Sequence, residues 1–266
     1  MVWYQSTNGK GILLPGDSGE LGVIPRGSVA VIVTSPPYWV RGRGRASASR
    51  YASQFATRFA REWRRVLHPR GALWLLIGDR HDGREWIGLD GLVVDSLRRA
   101  GWVLQAKGVW AEHPSRARWD DRINYLLRFG KTGHVSLPPD ATLCWRLPIP
   151  WSPPGSRWDA TPPPVLRALL KLSPKGSVLD PFFGAGTLGA VAARLGRAWV
   201  GVERDQSQIR VAARRLGLER CVSRDPLAVQ RALGRVLGGP VAPQARIFLN
   251  SAVPLGPPRY GRIGAP

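Results

Sequence analysis

Two short segments carry residue types that could do chemistry. In the first, Thr34-Ser35-Pro36-Pro37-Tyr38-Trp39 follows the apolar run Val29-Ala30-Val31-Ile32-Val33. A run rich in β-branched residues predicts a buried strand. The paired prolines end it, because proline fixes φ and has no N–H to donate. Pro36 also pushes Ser35 out of the helical region. The expected product is a rigid loop at a strand's C-terminal end, with a carbonyl free to point outward and an aromatic beside it. Such a loop suits holding a flat, amine-bearing ring. The tetrapeptide alone also fits an ordinary strand-ending turn.

The second segment is Gly184-Ala185-Gly186-Thr187-Leu188-Gly189, which follows an expected strand and opens an expected helix. Glu203 stands at the end of the next strand. Glycines in such a loop let the backbone approach a ligand, and the acid can bind ribose hydroxyls. This loop by itself fits a nicotinamide dinucleotide as well as S-adenosyl-L-methionine. Asp180-Pro181-Phe182-Phe183 precedes the glycines; a carboxylate there can face the ammonium of a methyl donor, and an aromatic can pack on it.

Ser35-Pro36-Pro37-Tyr38 closely resembles the catalytic motif of amino-group nucleic-acid methyltransferases, and Asp180-Pro181-Phe182-Phe183-Gly184-Ala185-Gly186-Thr187 resembles their cofactor motif. The catalytic motif comes first, which resembles the circularly permuted, beta-type members of that family. The likeness covers roughly residues 11–218. It implies S-adenosyl-L-methionine as cofactor and a Rossmann-like α/β fold. It also implies catalytic roles for Ser35, Pro36, Pro37 and Tyr38. The Ser35 hydroxyl and the Pro36 carbonyl would accept hydrogen bonds from an exocyclic amine, while Tyr38 would stack on the base. Cofactor contacts would fall to the cofactor motif itself, to Thr34 and Glu203, and to Asp17 near the adenine. Trp158-Asp159-Ala160-Thr161-Pro162-Pro163 resembles the family's short donor-binding segment but lacks its usual His-Pro opening.

Serine at the first motif position favours cytosine N4 as the methylated atom. N6-adenine enzymes more often resemble Asp-Pro-Pro-Tyr or Asn-Pro-Pro-Tyr. The alternatives are an N6-adenine DNA or an RNA amino-methyltransferase, and a non-catalytic nucleic-acid-binding protein on the same fold. C5-cytosine methylation, which uses a Pro-Cys pair, is excluded: Cys144 follows Leu143 and Cys221 follows Arg220.

The chain has 266 residues, with 39 Lys and Arg against 18 Asp and Glu, a net charge of +21. Excess positive charge on this scale points to a polyanionic partner. A GC-rich genome would explain arginine over lysine, but not the shortage of acids. Double-stranded DNA is the expected partner, with the target base flipped out of the duplex, and a companion restriction endonuclease is a possible second. Phosphates would be gripped by Arg41, Arg43, Arg45 and Arg50 with Trp39 beside them, and by Arg116, Arg118, Trp119 and Arg122. The cysteines form no CxxC pair and no zinc pattern is present, so no metal is expected. No apolar stretch is long enough to span a membrane and the N-terminus lacks signal-peptide features, so the expected location is cytoplasmic.

These residues need a scaffold of alternating strands and helices, which predicts a doubly wound, mainly parallel α/β sheet. Strands are expected near 11–18, 29–34, 72–77, 177–180 and 198–203. Strands near 102–110 and 122–130 should pair. Helices are expected over 53–67, 86–100 (capped by Gly101), 163–172, 187–195 and 205–216. Residues 1–218 read as the catalytic domain, with basic loops at 41–50 and 112–122 and a short target-recognition region at about 131–163. The 41–50 segment reads as a mobile loop, not a helix. Residues 219–266 read as a C-terminal extension, Pro- and Gly-rich from about 239. The strands ending at Thr34 and Asp180 should lie side by side at one cleft.

Overall fold

Along the chain, β1 (Val2–Ser6), β2 (Gly11–Pro15) and β3 (Val29–Thr34) come first. Helix α1 (Gly44–Val66) leads into β4 (Leu67–Gly78), then α2 (Leu89–Arg99), β5 (Val103–Glu112), β6 (Ile123–Gly130) and β7 (Cys144–Leu147). The remainder runs α3 (Pro163–Lys171), β8 (Val178–Asp180), α4 (Thr187–Arg194), β9 (Trp199–Glu203), α5 (Gln206–Leu216), β10 (Leu218–Val222) and α6 (Ala228–Leu237). The structure, a computed structural model, describes residues 1–37, 44–79, 85–112, 123–133, 137, 143–147, 161–225 and 227–238.

The strands form one sheet in the order β10-β1-β2-β9-β8-β3-β4-β6-β5-β7. Its centre, β2-β9-β8-β3-β4, is all parallel. Antiparallel pairs join β10, β1 and β2 on one flank and β4, β6 and β5 on the other, and β7 runs parallel to β5 at the far edge. The architecture is therefore a Rossmann-like, mainly parallel α/β sheet. β3 and β8 are neighbours, with Val31 opposite Val178 and Ile32 opposite Leu179.

Strand side chains alternate between two cores, as the pleat requires. Ile12, Leu14, Ile32, Leu73, Leu75, Val200 and Val202 face one core, which α1, α2 and α6 cover. Leu13, Val31, Val33, Trp74, Leu76 and Trp199 face the other, beneath α3, α4 and α5. Both faces being buried explains why the central strands read as near-continuous apolar runs. Among the described residues no helix is long and apolar enough to cross a membrane.

Four segments differ from the sequence expectation. Residues 44–50, expected as part of a mobile loop, form the first two turns of α1. Ala48 and Ala52 are fully buried and continue the stripe that Phe55, Ala56 and Trp63 complete. Alanine has the highest helix propensity, but its small side chain hides the period. β4 begins at Leu67 because the ladder is irregular between Val29, opposite Leu67, and Val31, opposite Ala72. Such a bulge accommodates Pro69, which has no N–H to give the ladder. Beyond residue 219, where the pattern weakens, β10 nevertheless pairs antiparallel with β1. Val229, Ala232, Leu233 and Val236 of α6 are buried in the first core. Likewise β7 lies within the expected target-recognition region. Residues 239–266 and 113–122 lie outside the described residues.

Candidate active site

The five parallel central strands end at one edge, and each ends in, or within two residues of, an oxygen-bearing side chain. In sheet order these are Asp17 after β2, Glu203 of β9, Asp180 of β8, Thr34 of β3 and Asp79 after β4. The connection from β8 passes through α4 on one face, while that from β3 passes through α1 on the other. The point between β8 and β3 is thus a topological switch point, where doubly wound sheets bind ligands.

Thr34 and Asp180 meet there. The Thr34 hydroxyl donates to Asp180 Oδ1 at 2.7 Å, and the Phe182 N–H donates to the same oxygen at 3.0 Å. Burial pushes the Asp180 carboxyl up to about 7, with the like charge of Glu203 adding to the rise and the two hydrogen bonds opposing it. Among the described residues no donor reaches Oδ2.

The glycine loop turns sharply between β8 and α4. The Phe183 N–H donates to the Val202 carbonyl at 3.0 Å, and the Gly186 N–H donates to the Phe183 carbonyl at 2.9 Å. Gly184 and Gly186 have φ of +53° and +81°, a region that favours glycine. A Cβ on Gly186 would lie 2.9 Å from Leu216, whereas one on Gly184 would meet nothing nearer than the Phe182 carbonyl at 4.0 Å. Space is therefore kept open in front of Gly184. An Arg215 N–H donates to the Ala185 carbonyl. Thr187, the first residue of α4, has a buried hydroxyl with no partner among the described residues.

Glu203 closes the loop from β9. Its Oε2 accepts from the Gly184 N–H at 2.8 Å, and its Oε1 accepts from the Arg204 and Asp205 N–H groups at 2.9 and 2.8 Å. Burial raises its pKa against these three bonds.

The neighbouring residues divide into those facing ligand space and those serving the fold. Phe183 is buried in the second core, stacked on Trp199 with ring centroids 5.1 Å apart. A Cβ on Gly201 would lie 2.3 Å from its ring. Phe182 turns to the other side and packs edge-on against Phe59 and Trp63. It stays half-buried, so of the two phenylalanines it keeps surface for a ligand. The Pro181 carbonyl accepts from the Ser18 hydroxyl, and Trp63 Nε1 donates to the Ser18 carbonyl at 3.0 Å. Asp17 pairs with Arg58 of α1 at 2.7 Å and also accepts from the Gly19 N–H at 2.8 Å. Both its oxygens are thus engaged.

In the Ser-Pro-Pro loop Ser35 is half-buried, Pro36 buried and Pro37 exposed. The Tyr51 hydroxyl of α1 donates to the Pro37 carbonyl at 2.6 Å. Arg45, expected on a phosphate, is exposed and donates through Nη1 to the Ile87 carbonyl at 3.0 Å. Arg50 is exposed on α1. Tyr38, Trp39, Arg41, Arg43, Arg116, Arg118, Trp119 and Arg122 lie outside the described residues, as do Trp158, Asp159 and Ala160. Sequence reasoning overlooked Tyr51, Arg58 and Ser18, whose partners lie far along the chain. Beyond β4, the Asp79 side chain accepts from the Gly88 and Leu89 N–H groups at 3.1 and 3.0 Å at the start of α2.

A doubly wound sheet with a glycine loop, a terminal acid and a Ser-Pro-Pro loop at one edge has the form of a methyltransferase. The DNA methylase family of N6 and N4 methyltransferases matches residues 160–214, which span the glycine loop and Glu203. The type II methyltransferase M.Cfr9I of Citrobacter freundii is 26% identical over 73% of this chain and 83% of its own. The protein TTHA0409 of Thermus thermophilus, solved in complex with S-adenosyl-L-methionine, is 27% identical, with a TM-score of 0.63 over 77% of this chain and 92% of its own. The PvuII DNA methyltransferase, cytosine-N4-specific, shares the fold at 19% identity, with a TM-score of 0.68 over 89% of this chain and 95% of its own. Fold and sequence are both similar to those of the N4/N6 amino-methyltransferases.

Proposed function

We propose that this protein is a DNA methyltransferase that moves a methyl group from S-adenosyl-L-methionine to the N4 amine of cytosine. The hydrogen bond from Thr34 to Asp180 carries the reading, because it joins the strand bearing the Ser-Pro-Pro loop to the strand bearing the glycine loop. The residues present fit the donor: Gly184 faces open space, and among the described residues Asp180 Oδ2 has no donor and the buried Thr187 hydroxyl at the head of α4 has no partner. Asp180 would face the ammonium, Glu203 the ribose hydroxyls, and Gly184 the space the ligand needs. When bound, S-adenosyl-L-methionine supplies an electrophilic methyl on a sulfonium.

The protein's own task is to make a poor nucleophile attack. An exocyclic amine is conjugated with its ring, which ties up the nitrogen lone pair. The Ser35 hydroxyl and the Pro36 carbonyl would each accept a hydrogen bond from one of its N–H groups, favouring a pyramidal nitrogen with the lone pair exposed. Tyr38 would stack on the base and hold the nitrogen in line for transfer. The base must leave the duplex to reach this loop, and the charge of +21 favours binding of the phosphate backbone. No covalent enzyme intermediate is needed.

Mass spectrometry of nucleosides tests this directly, after incubation of unmethylated DNA and, separately, RNA with protein and donor. N4-methylcytosine in the DNA is expected. Methyl groups on adenine alone would overturn the cytosine assignment and leave the amine chemistry standing. Methyl groups in RNA alone would overturn the DNA assignment, and transfer to neither would defeat the enzymatic reading.

A further inference from the structure

We infer that Tyr51 is a positioning residue for methyl transfer: its hydroxyl anchors the far end of the Ser35-Pro36-Pro37 loop and so holds the Pro36 carbonyl toward the target amine. The inference rests on the amino-methyltransferase reading above. A loop made of two prolines has an unusual problem of attachment. Pro36 and Pro37 have no N–H groups, so their only backbone handles are carbonyls. If the Pro36 carbonyl is kept for the substrate, the next handle along the chain is the Pro37 carbonyl.

The structure uses that handle. Tyr51 Oη donates to the Pro37 carbonyl at 2.6 Å, whereas no described donor reaches the Pro36 carbonyl. The near end of the loop is fixed as well, since Thr34 lies in the β3–β4 ladder opposite Leu75 and its side chain holds Asp180. Between the two anchors the Pro37 ring sets φ. Fixing the Pro37 carbonyl therefore restricts the ψ rotation of Pro36 that could swing its carbonyl away. The Tyr51 ring is itself seated, stacked on Phe55 at 6.2 Å between centroids with planes 27° apart. Phe55 in turn is buried against Trp63 in the core. The bond links the Ser-Pro-Pro loop to the buried aromatic stripe of α1.

Tyr51→Phe keeps the ring and its stack and removes only the hydroxyl. Single-turnover methyl transfer to long unmethylated duplex DNA should fall about tenfold, the equivalent of one net hydrogen bond. KM for DNA, donor affinity by calorimetry and melting temperature should stay at their wild-type values. A transfer rate within twofold of wild type would overturn the proposal. A fall accompanied by matching losses of donor affinity and melting temperature would also overturn it, since that marks a merely structural contact. If the wild-type protein transfers nothing to any DNA, the functional reading fails and the proposal falls with it; a variant as active as an active wild type overturns the proposal alone.

Discussion

Asp180 and the donor compete in a way that pH should expose. The buried carboxyl of the free protein titrates at about 7, where an ordinary aspartate titrates at 3.8. A donor ammonium is stabilised by the ionised form, so below pH 7 binding must first expel a proton. The ionised fraction falls from roughly three-quarters at pH 7.5 to about 3% at pH 5.5, a change of about 25-fold. The donor's own α-amine, with a free pKa of about 7.7–8.0, gains charge over the same range and offsets a factor of about 1.5. The dissociation constant should therefore rise roughly 15-fold from pH 7.5 to 5.5. Calorimetry in buffers of different ionisation enthalpy should show about 0.9 proton released per donor bound at pH 6. Asp180→Asn should bind more weakly at pH 7.5, with a nearly flat pH profile and no proton release. A wild-type constant that changes less than threefold over this range would refute the reasoning, and so would Asp180→Asn retaining the wild-type slope. The same shift has a stability consequence. A folded-state pKa above the unfolded one favours folding below about pH 4 and loses that contribution as pH rises through 7. Without donor, Asp180→Asn should raise the melting temperature at pH 8 by more than at pH 5, with an upper bound on the order of 4 kcal/mol.

Two glycines separate ligand space from packing. A Cβ on Gly184 enters open space, so Gly184→Ala should lower stability by only about 1 kcal/mol for its positive φ, yet abolish measurable donor binding by calorimetry. A Cβ on Gly201 strikes Phe183 at 2.3 Å, so Gly201→Ala should lose about 1–3 kcal/mol in denaturant unfolding. Two arginines at the start of α1 should also divide. Arg50 is exposed, and if it contacts a phosphate Arg50→Ala should reduce the magnitude of the salt slope of DNA binding by about 0.9. Arg45 holds the Ile87 carbonyl, so Arg45→Ala should leave the slope unchanged and lower the melting temperature instead.

What the sequence made legible follows burial. β3, β4, β8 and β9 sit in the middle of the sheet between two helical layers, so their residues had to be apolar on both faces. The edge strand β10, Leu-Glu-Arg-Cys-Val, is half-exposed and carries no such pattern. Its strand state depends on β1 lying beside it, more than two hundred residues away in sequence. The first turns of α1 were hidden because alanines bury their stripe. The acids of the candidate site were visible at strand ends, but their pairings were not. Asp17 and Arg58 are 41 residues apart, and Arg45 and Ile87 are 42 apart. No local spacing rule joins them. A count of arginines could not tell Arg45, which donates to the Ile87 carbonyl, from Arg50, although both are exposed.

The order of the two motifs along the chain has no bearing on their meeting in space, and the sheet shows why. The site needs the C-terminal ends of β8 and β3 side by side, with their following loops turned to one edge. Whether the chain visits β3 or β8 first changes only which connection is long. Here the long path runs from β3 through α1, β4 and the antiparallel flank before α3 returns it to β8. The contact that must survive any such ordering is between strands, and it is made by side chain as well as ladder: Thr34 to Asp180 at 2.7 Å. The same bond couples the two halves chemically. Thr34 precedes the residue expected to hold the amine, and Asp180 opens the loop expected to hold the donor. Its loss should therefore act on both sides at once. Thr34→Val keeps the β-branched shape and removes the hydroxyl, leaving Asp180 Oδ1 with the Phe182 N–H as its described donor. Because the hydroxyl favours the ionised carboxylate, the Asp180 pKa should rise further. The midpoint of the donor-affinity profile should move to higher pH in step, and a midpoint that stays in place would separate Thr34 from the donor site.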